Sequence, residues 1–312
     1  MQLVRGLANC KADGRGLAVA IGNFDGVHLG HQALVRAAGA RAAASGARTA
    51  VLTFEPHPRE FLAPSSAPPR LMRLFEKCAA LAALGVERLI VLRFDAKLQC
   101  QTPDEFIGRV LCQGLDTRHV VVGEGFRFGS GRSGSIETLA AAGARRGFEV
   151  RTVPSVLEDG ERVSSTRVRA ALGAGDLALA ARLLGRPYAL AGRVVPGERL
   201  GRRLGYPTAN VRLHRRSAPL AGIFAAQVRG IAGRDPAAAV ASLGTRPTIG
   251  GTELLLEAHV FDFDGDLYGR RISVEFIAKL RDEEKFPSLD AMVAQMHADA
   301  ARAREILAAH AA

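Results

Sequence analysis

Apolar runs rich in β-branched residues alternate with helical patterns along the first half of the chain. The apolar runs lie at 17–22, 49–54, 88–94, 119–124 and 148–154, and the helical patterns at 31–45, 71–84, 103–113 and 134–146. Strands and helices that alternate at this spacing predict a parallel sheet with helices on both faces. Two short helices that end at glycines are predicted next, in SSTRVRAALGAG and DLALAARLLG.

The pattern changes near Gly185-Arg186-Pro187-Tyr188. Strand-like runs then follow one another without long helices between them, at 189–195, 222–231, 237–243, 254–263 and 271–280. Consecutive strands with short turns predict an antiparallel barrel or sandwich, and an amphipathic helix follows from about Ser288. We therefore predict two domains, residues 1–185 and 186–312.

Composition narrows the class of protein. The 312 residues are 48% hydrophobic, which is enough for two cores, and no apolar run reaches the roughly 18 residues needed to span a membrane. The first residues lack the apolar stretch of a signal peptide, and the four cysteines form no C-x-x-C pair. These features favour a cytoplasmic protein without a membrane partner.

The formal net charge of +11 has two interpretations, an arginine-rich background composition or an anionic ligand. The basic residues are scattered, and aromatic residues make up only 5% of the chain. We therefore expect polyphosphate ligands rather than nucleic acid. A basic nucleic-acid-binding protein, which would bind with a steep salt dependence, stays as an alternative of another class.

The segment GNFDGVHLGH, residues 22–31, follows a predicted buried strand and leads into a predicted helix. Backbone N–H groups and the helix dipole favour phosphate at such a junction. His28 and His31 are three residues apart and can donate hydrogen bonds to phosphoryl oxygens, while Gly30 leaves room for a ligand between them. A surface histidine pair or a partial metal site is the alternative.

A second segment, SSTRVR at 164–169, offers hydroxyl groups and arginines at the start of a helix. Such groups hold polyphosphates, although an ordinary helix cap would look the same. The chain lacks the pattern G-x-x-x-x-G-K-[ST] of a Walker loop. Histidines with no evident nucleophile suit direct nucleotidyl transfer between two bound substrates.

Glycines at 197, 201 and 205 make GERLGRRLGYPTAN a candidate flap, to which Arg202 adds positive charge. Thr208 and Asn210 follow, two residues apart, and could present oxygen ligands to Mg²⁺ from one face of an extended strand. Further on, LLLEAHVFDF places Glu257 opposite an apolar face. Glu257 could act as a general base, but a solvated glutamate would show the same pattern.

Taken together, these motifs resemble a known family. G-x-F-D-G-V-H-x-G-H, F-x-P-H-P at 54–58 and S-S-T-x-V-R resemble the adenylyltransferase module of the bacterial bifunctional riboflavin kinase/FAD synthetases. The flap, P-T-A-N, SLGTRPT, the glutamate strand, DLYG and LRDEEKF occur in the order of the riboflavin kinase module of that family. The resemblance covers nearly the whole chain. It implies a Rossmann-like nucleotidyltransferase domain, followed by an antiparallel β-barrel with a C-terminal helix.

The resemblance implies two activities, phosphorylation of riboflavin to FMN and adenylylation of FMN to FAD, both with ATP and Mg²⁺. It implies that Thr208 and Asn210 hold Mg²⁺ and that Glu257 takes the proton of the ribityl hydroxyl. It implies that His28 and His31 steady the α-phosphate of ATP in the first module. The remaining predicted contacts are Gly22, Phe24, Asp25, Gly30, Ser164, Ser165, Thr166 and Arg169 for that nucleotide, Phe61, Phe126, Phe128 and Arg281 for flavin, and Gly197, Gly201, Arg202 and Gly205 for the flap.

Three positions depart from the family pattern. Gly125 stands where Asn or Asp is common, Tyr206 replaces a usual Phe, and Pro196 precedes the flap where His is frequent. Because glycine has no side chain to bond a ligand, a kinase with a degenerate first module stays open. A class I aminoacyl-tRNA synthetase is disfavoured because no K-M-S-K-S segment is present. Small-molecule substrates are the expected partners, and weak self-association stays open.

Overall fold

The computed structural model describes residues 1–11, 14–197, 201, 204–215, 217–248 and 251–311. They form two compact units, one of residues 1–68 and 72–164 and the other of residues 69–71 and 165–312. In the part of the chain that is described, none of the helices combines the length and the apolarity needed to cross a membrane.

The first unit is built on a six-stranded parallel sheet. Its strands are β1 (Gln2–Arg5), β2 (Leu17–Ile21), β3 (Arg48–Glu55), β4 (Arg88–Arg93), β5 (Thr117–Gly123) and β6 (Glu149–Val153). Their order is β1-β4-β3-β2-β5-β6, and all neighbours run parallel. The order reverses between β2 and β5, and ligands of open α/β sheets bind outside the carboxyl ends of strands at such a switch point.

Helices connect these strands and cover both faces of the sheet, as the alternating pattern predicts. They are α1 (Leu29–Ser45), α2 (Pro58–Leu62), α3 (Leu74–Ala83), α4 (Ala96–Gln99), α5 (Pro103–Glu105), a π-helix (Phe106–Gly114) and α6 (Ile136–Arg146), with 3₁₀ turns at Leu7–Asn9, Pro64–Ser66 and Ser130–Arg132. A short hairpin of β7 (Leu157–Glu158) and β8 (Glu161–Arg162) follows β6.

Two apolar clusters fill the space between the sheet and its helices. One includes Ile107 and Leu111 of the π-helix, and the other includes Val35 of α1 and Leu81 of α3. All five residues of β2 are buried, and they contribute to both clusters. Because β2 lies in the middle of the sheet and is packed on both faces, its carboxyl end holds the start of the following loop in a fixed position.

The second unit begins with two helices, α7 (Ser165–Gly173) and α8 (Leu177–Leu184), and continues as a closed antiparallel barrel. The barrel strands are β9 (Tyr188–Val195), β10 (Ala209–Arg212), β11 (Gly222–Arg229), β12 (Ala237–Thr248), β13 (Gly251–Val260) and β14 (Arg271–Arg281). Their order is β10-β13-β12-β11-β14-β9, and β9 pairs with β10 to close the barrel. The sequence pattern left a barrel or a sandwich open, and the structure has a barrel.

Helices α7 and α8 pack with the second unit. Leu177, Ala180, Leu183 and Leu184 of α8 are buried, and the helix contacts β9 and β14. The compact units divide at 164/165, and the predicted domain boundary at 185/186 stays a prediction. The sequence pattern does not show this because α7 and α8 continue the helical character of the first half.

The long helix α9 (Leu289–Ala311) packs against the outer face of the barrel. Its Ala300, Ala303 and Leu307 form an apolar cluster with Tyr206 and Phe261. The packing of α9 covers a barrel face that would otherwise be exposed to water.

Candidate active sites

The loop between β2 and α1, residues 22–28, is held by hydrogen bonds from three neighbouring segments. We call it the histidine loop. The carbonyl oxygen of Asn23 accepts hydrogen bonds from Thr53 Oγ1 at 3.0 Å and from Lys77 Nζ at 2.7 Å. The carboxylate of Asp25 accepts the backbone N–H of Met72 at 3.0 Å. These three hydrogen bonds fix the shape of the loop.

The two predicted catalytic histidines stack on each other at the start of α1. The ring centroids of His28 and His31 lie 3.7 Å apart with an interplanar angle of 22°. His28 is the N-cap of α1, and its Nδ1 accepts the backbone N–H of His31 at 3.4 Å. In neutral His28 this bond places the proton on Nε2, and an Nε2–H can donate to a phosphoryl oxygen.

The electrostatics of His31 differ from those of an exposed histidine. Burial lowers its pKa well below the ordinary value of 6.5, and the neighbouring His28 and Lys77 lower it further. His31 is therefore neutral at pH 7. Its Nδ1 is buried, and no hydrogen-bond partner for it lies among the described residues.

Gly30 is predicted to leave room for a ligand between the two imidazoles, and in the structure it leaves room for the His28 ring. A Cβ at position 30 would lie 3.2 Å from the His28 ring, and the rings themselves are in stacking contact. Phe24 is fully buried, and its ring centroid lies 4.9 Å from that of His31, so its side chain supports the imidazole ring. Gly22 similarly makes room for Phe24, whose ring a Cβ would approach to 3.3 Å.

The predicted flavin contacts of the first unit belong to two aromatic groups. Phe126 stacks on Phe128 with centroids 5.6 Å apart, and Phe128 is buried. Phe61 is 38% exposed and packs edge-on against Phe94 at 5.8 Å. Of these three predicted residues, Phe61 and the half-buried Phe126 keep ring surface that a flavin could meet.

The departure at Gly125 has a backbone explanation. Gly125 adopts a φ of 73°, in the left-handed region that Gly, Asn and Asp tolerate best. The adjacent Glu124 carboxylate accepts the backbone N–H of Ser155 at 2.9 Å, and this bond lowers its pKa. Glu124 therefore stabilises the turn.

The hydroxyl and arginine segment at 164–169 is split between the units. Ser164 is the last residue of the first unit, and Ser165, Thr166 and Arg169 lie in α7 of the second. Arg169 Nε donates to the carbonyl of Pro69 at 2.6 Å. The role of this segment in binding phosphate stays a prediction.

A cavity of about 1080 Å³ in the second unit gathers most of the residues predicted from its sequence. It is lined by Gly197, Gly201, Thr208, Asn210, Glu257 and Arg281, together with Met292, Met296 and Asp299 of α9. The inner face of β13 is buried as the alternation predicts, since Leu254, Leu256, Ala258 and Val260 are all in the core. Glu257 on the opposite face therefore lines a cavity and is not simply solvated.

The three polar residues predicted to perform the chemistry lie together. Asn210 of β10 is directly paired with Glu257 of the neighbouring strand β13. The hydroxyl of Thr208 donates to Glu257 Oε1 at 3.4 Å. Thus Thr208 and Asn210 share a face, as the i, i+2 spacing predicts, and the carboxylate adjoins both.

These residues fit the oxygen preference of Mg²⁺. The structure brings a hydroxyl, an amide and a carboxylate oxygen to one wall of the cavity, and Mg²⁺ takes few protein oxygens beside those of phosphates and water. No group of three His, Cys, Asp or Glu side chains suited to a metal ion occurs in the described part of the chain.

The flap glycines have different surroundings. A Cβ at Gly197 would strike the Asn210 amide, and one at Gly201 would strike the carbonyl of Tyr206. Gly205 adopts a φ of 84° and has open space around it. Arg202 lies outside the described residues.

Arg281, the predicted flavin contact, is held by a buried carboxylate. Its guanidinium donates to both oxygens of Asp299 at 2.8–3.1 Å, and Asp299 is 6% exposed. Gln295 donates to the same carboxylate at 2.9 Å. Asp299 is not predicted from the sequence, because an acidic residue in an amphipathic helix is ordinarily exposed to water.

Tyr206, where the family pattern has Phe, uses its extra hydroxyl. Its OH lies 2.5 Å from Nδ1 of His297 on α9, and its ring packs edge-on against His259 at 4.9 Å. The side chain thereby links the base of the flap to α9, a contact that Phe could not make.

Comparisons with known proteins match both halves of the chain. A family model described as FAD synthetase matches residues 10–167, and one described as riboflavin kinase matches residues 184–307. The bifunctional riboflavin kinase/FMN adenylyltransferase of Pseudomonas fluorescens is 47% identical over 99% of this chain and 98% of its own length. The protein of the same name from Escherichia coli K12 is 44% identical, over 98% and 97%.

A solved structure shows the same architecture over the full length. The crystal structure of a protein described as a macrolide-efflux protein from Streptococcus pneumoniae matches with a TM-score of 0.83 and 32% identity. The match covers 97% of this chain and 98% of that one. With both family models and full-length relatives in agreement, the chain belongs to the family of bifunctional riboflavin kinase/FMN adenylyltransferases.

Proposed function

We propose that the second unit phosphorylates riboflavin to FMN and that the histidine loop of the first unit serves the transfer of AMP to FMN, which gives FAD. The observation that carries this proposal is the presence of two separate constellations. Glu257, Thr208 and Asn210 line one cavity in the barrel, while His28 and His31 stack at the switch point of the sheet. Riboflavin, FMN and ATP are the substrates, and FAD is the product.

In the barrel, Glu257 acts as the general base. Its carboxylate accepts the proton of the terminal ribityl hydroxyl while that oxygen attacks the γ-phosphorus of ATP and ADP leaves. The hydroxyl of Thr208, 3.4 Å from the carboxylate, orients it. General-base catalysis contributes about 10²–10⁴-fold to such reactions, so removing the carboxylate costs a factor in that range.

Thr208 and Asn210 would hold Mg²⁺ through their side-chain oxygens. The ion, when bound, would neutralise the charge of the ATP phosphates. The pairing of Asn210 with Glu257 on neighbouring strands places this oxygen pair beside the base.

In the first unit, the histidines act by donating hydrogen bonds. A phosphate oxygen of FMN attacks the α-phosphorus of ATP, and pyrophosphate leaves. Nε2–H of His28 would donate to a phosphoryl oxygen, and neutral His31 stacks on the His28 ring and supports it. The exposed face of Phe61 and the half-buried Phe126 are the surfaces on which the flavin ring would pack.

We further propose that the enzyme works on these small molecules in the cytoplasm. The absence of a basic block interleaved with aromatic residues supports small polyphosphate ligands over nucleic acid. Among the predicted alternatives, a kinase with a degenerate first module depends on Gly125, and the structure gives that glycine a backbone role.

The direct experiment is to incubate the full chain with riboflavin, ATP and Mg²⁺ and to separate the flavins by chromatography over time. FMN should appear first and FAD afterwards. Accumulation of FMN without FAD would support the single-activity alternative. A preparation that forms neither would contradict the proposal.

A further inference from the structure

Lys77 is a lysine in an unusual place for its residue type. It lies on α3, and it is 5% exposed. Lysine side chains are rarely buried to this extent unless they have a specific partner. The sequence LFEKCAALAA reads as an ordinary amphipathic helix, so the lysine draws no attention there.

The ammonium group of Lys77 contacts the backbone that presents the histidines. Its Nζ donates to the carbonyl oxygen of Asn23 at 2.7 Å. The same oxygen accepts the hydroxyl of Thr53, a residue with no exposed surface, at 3.0 Å. Two buried donors thus hold one carbonyl near the start of the histidine loop.

The histidine loop needs such support because its backbone is strained. Phe24 and Val27 have φ values of 49° and 46°, which non-glycine residues adopt infrequently. Such conformations persist where the surrounding structure holds them in place. The bonds to Asn23 act next to the first of these strained residues.

The positive charge of Lys77 also acts on the His31 imidazole. It is one of the groups that lower the pKa of His31, after burial and His28. A fixed positive charge in a dry interior acts more strongly than one in water, and preorganised charges of this kind stabilise developing negative charge at phosphate.

We propose that Lys77 is a positioning residue of the FAD-forming site, which holds the histidine loop through Asn23 and supplies fixed positive charge for the phosphates of ATP. This inference rests on the proposed function of the histidine loop. Lys77 acts through the loop and the local potential, and it needs no direct contact with substrate.

Four variants of the full chain separate the two contributions. Lys77→Arg keeps both charge and donors, Lys77→Gln keeps a donor without charge, and Lys77→Met removes both. Thr53→Val is the matched control, since it removes the other hydrogen bond to the Asn23 carbonyl and leaves the charge in place. FMN formation by the same protein measures an activity that these changes should leave unaltered.

The proposal predicts that FAD formation falls in the order Arg, Gln, Met, with kcat/KM reduced at least tenfold in Lys77→Met and less in Thr53→Val. It also predicts that the pKa of His31 rises in Lys77→Met, measured by NMR titration with the His31 signal assigned by its loss in His31→Gln. Lys77→Met within twofold of wild type would overturn it. So would equal losses in Lys77→Met and Thr53→Val with an unchanged His31 titration. A wild-type chain that forms no FAD refutes the proposed function instead.

Discussion

Replacement of Gly197 by alanine should displace the side chain of Asn210, a predicted Mg²⁺ ligand, while Asn210 itself stays in the sequence. Gly197 lies two residues beyond β9, and an added Cβ there would lie 2.6 Å from Cγ and 2.7 Å from Oδ1 of Asn210. Ordinary contact begins near 3.4 Å, so the Asn210 amide must move by about 0.7 Å or more. The structure therefore predicts a displaced amide oxygen in an otherwise intact barrel.

The expected loss follows from the geometry of phosphoryl transfer. A displacement of about 1 Å in a positioning group can cost about 10²-fold in rate. We expect Gly197→Ala to lower kcat/KM for FMN formation by about 10- to 100-fold and to leave FAD formation from supplied FMN unchanged. Chromatographic assays of both reactions on one preparation provide the measurement and the internal control.

A double-variant cycle tests the reason for the loss. In an Asn210→Ala background the methyl group at position 197 has no amide to displace, so Gly197→Ala should add less than a factor of two. If Gly197→Ala costs the same in both backgrounds, or leaves FMN formation within twofold of wild type, the assigned contact is not the cause and the reasoning is refuted.

Two further predictions concern stability. Asp299→Asn weakens the charged hydrogen bonds to Arg281 and should lower the free energy of unfolding of the second unit by about 1.5–3 kcal/mol in urea titrations. The control Asp290→Asn, at an exposed position of the same helix, should change the free energy of unfolding little. Equal effects of the two substitutions would contradict the assigned role of Asp299. The pKa of His31 in the folded protein lies below 6.5, the ordinary value that applies in the unfolded chain. Between these two pKa values the unfolded chain binds more protons than the folded protein, so the stability of the first unit should decrease as the pH falls through this interval. Thermal unfolding at pH 7.5, 6.5 and 5.5 should show this decrease in wild type and a smaller one in His31→Gln, and identical slopes would exclude His31 as its source.

The sequence pattern predicts most of the fold because apolar periodicity reports burial. The central strands β2 to β5 and the barrel strands β9 and β11 to β14 appear close to their predicted positions. Four short strands were missed. β1 is a four-residue edge strand with one buried residue, β10 is equally short, and β7 and β8 have two residues each, so none of them has enough periodicity to stand out.

The candidate sites were predicted where a motif is continuous in sequence. His28 with His31, and Thr208 with Asn210, are brought together by local geometry, and the structure confirms that each pair is adjacent. Glu257 could not be separated from a solvated glutamate, because the covering of its face by α9 and the segment after β14 depends on tertiary packing.

The burial of Lys77 and Asp299 cannot be predicted from the local sequence pattern. Both are charged residues on helices, where the ordinary expectation is exposure to water. Their burial is decided by partners distant in sequence, at Asn23 and Arg281. The stacking of His28 on His31 is likewise a matter of rotamers, which the H-x-G-H spacing leaves undetermined.

The most direct test of two independent active sites in one chain is a reciprocal loss of activities. Full-length His28→Ala and Glu257→Gln should each be assayed for FMN formation from riboflavin and for FAD formation from supplied FMN. The account predicts that His28→Ala forms FMN at the wild-type rate and no FAD, while Glu257→Gln forms FAD and loses at least 10²-fold in FMN formation. A folded variant of either kind that loses both activities would contradict it.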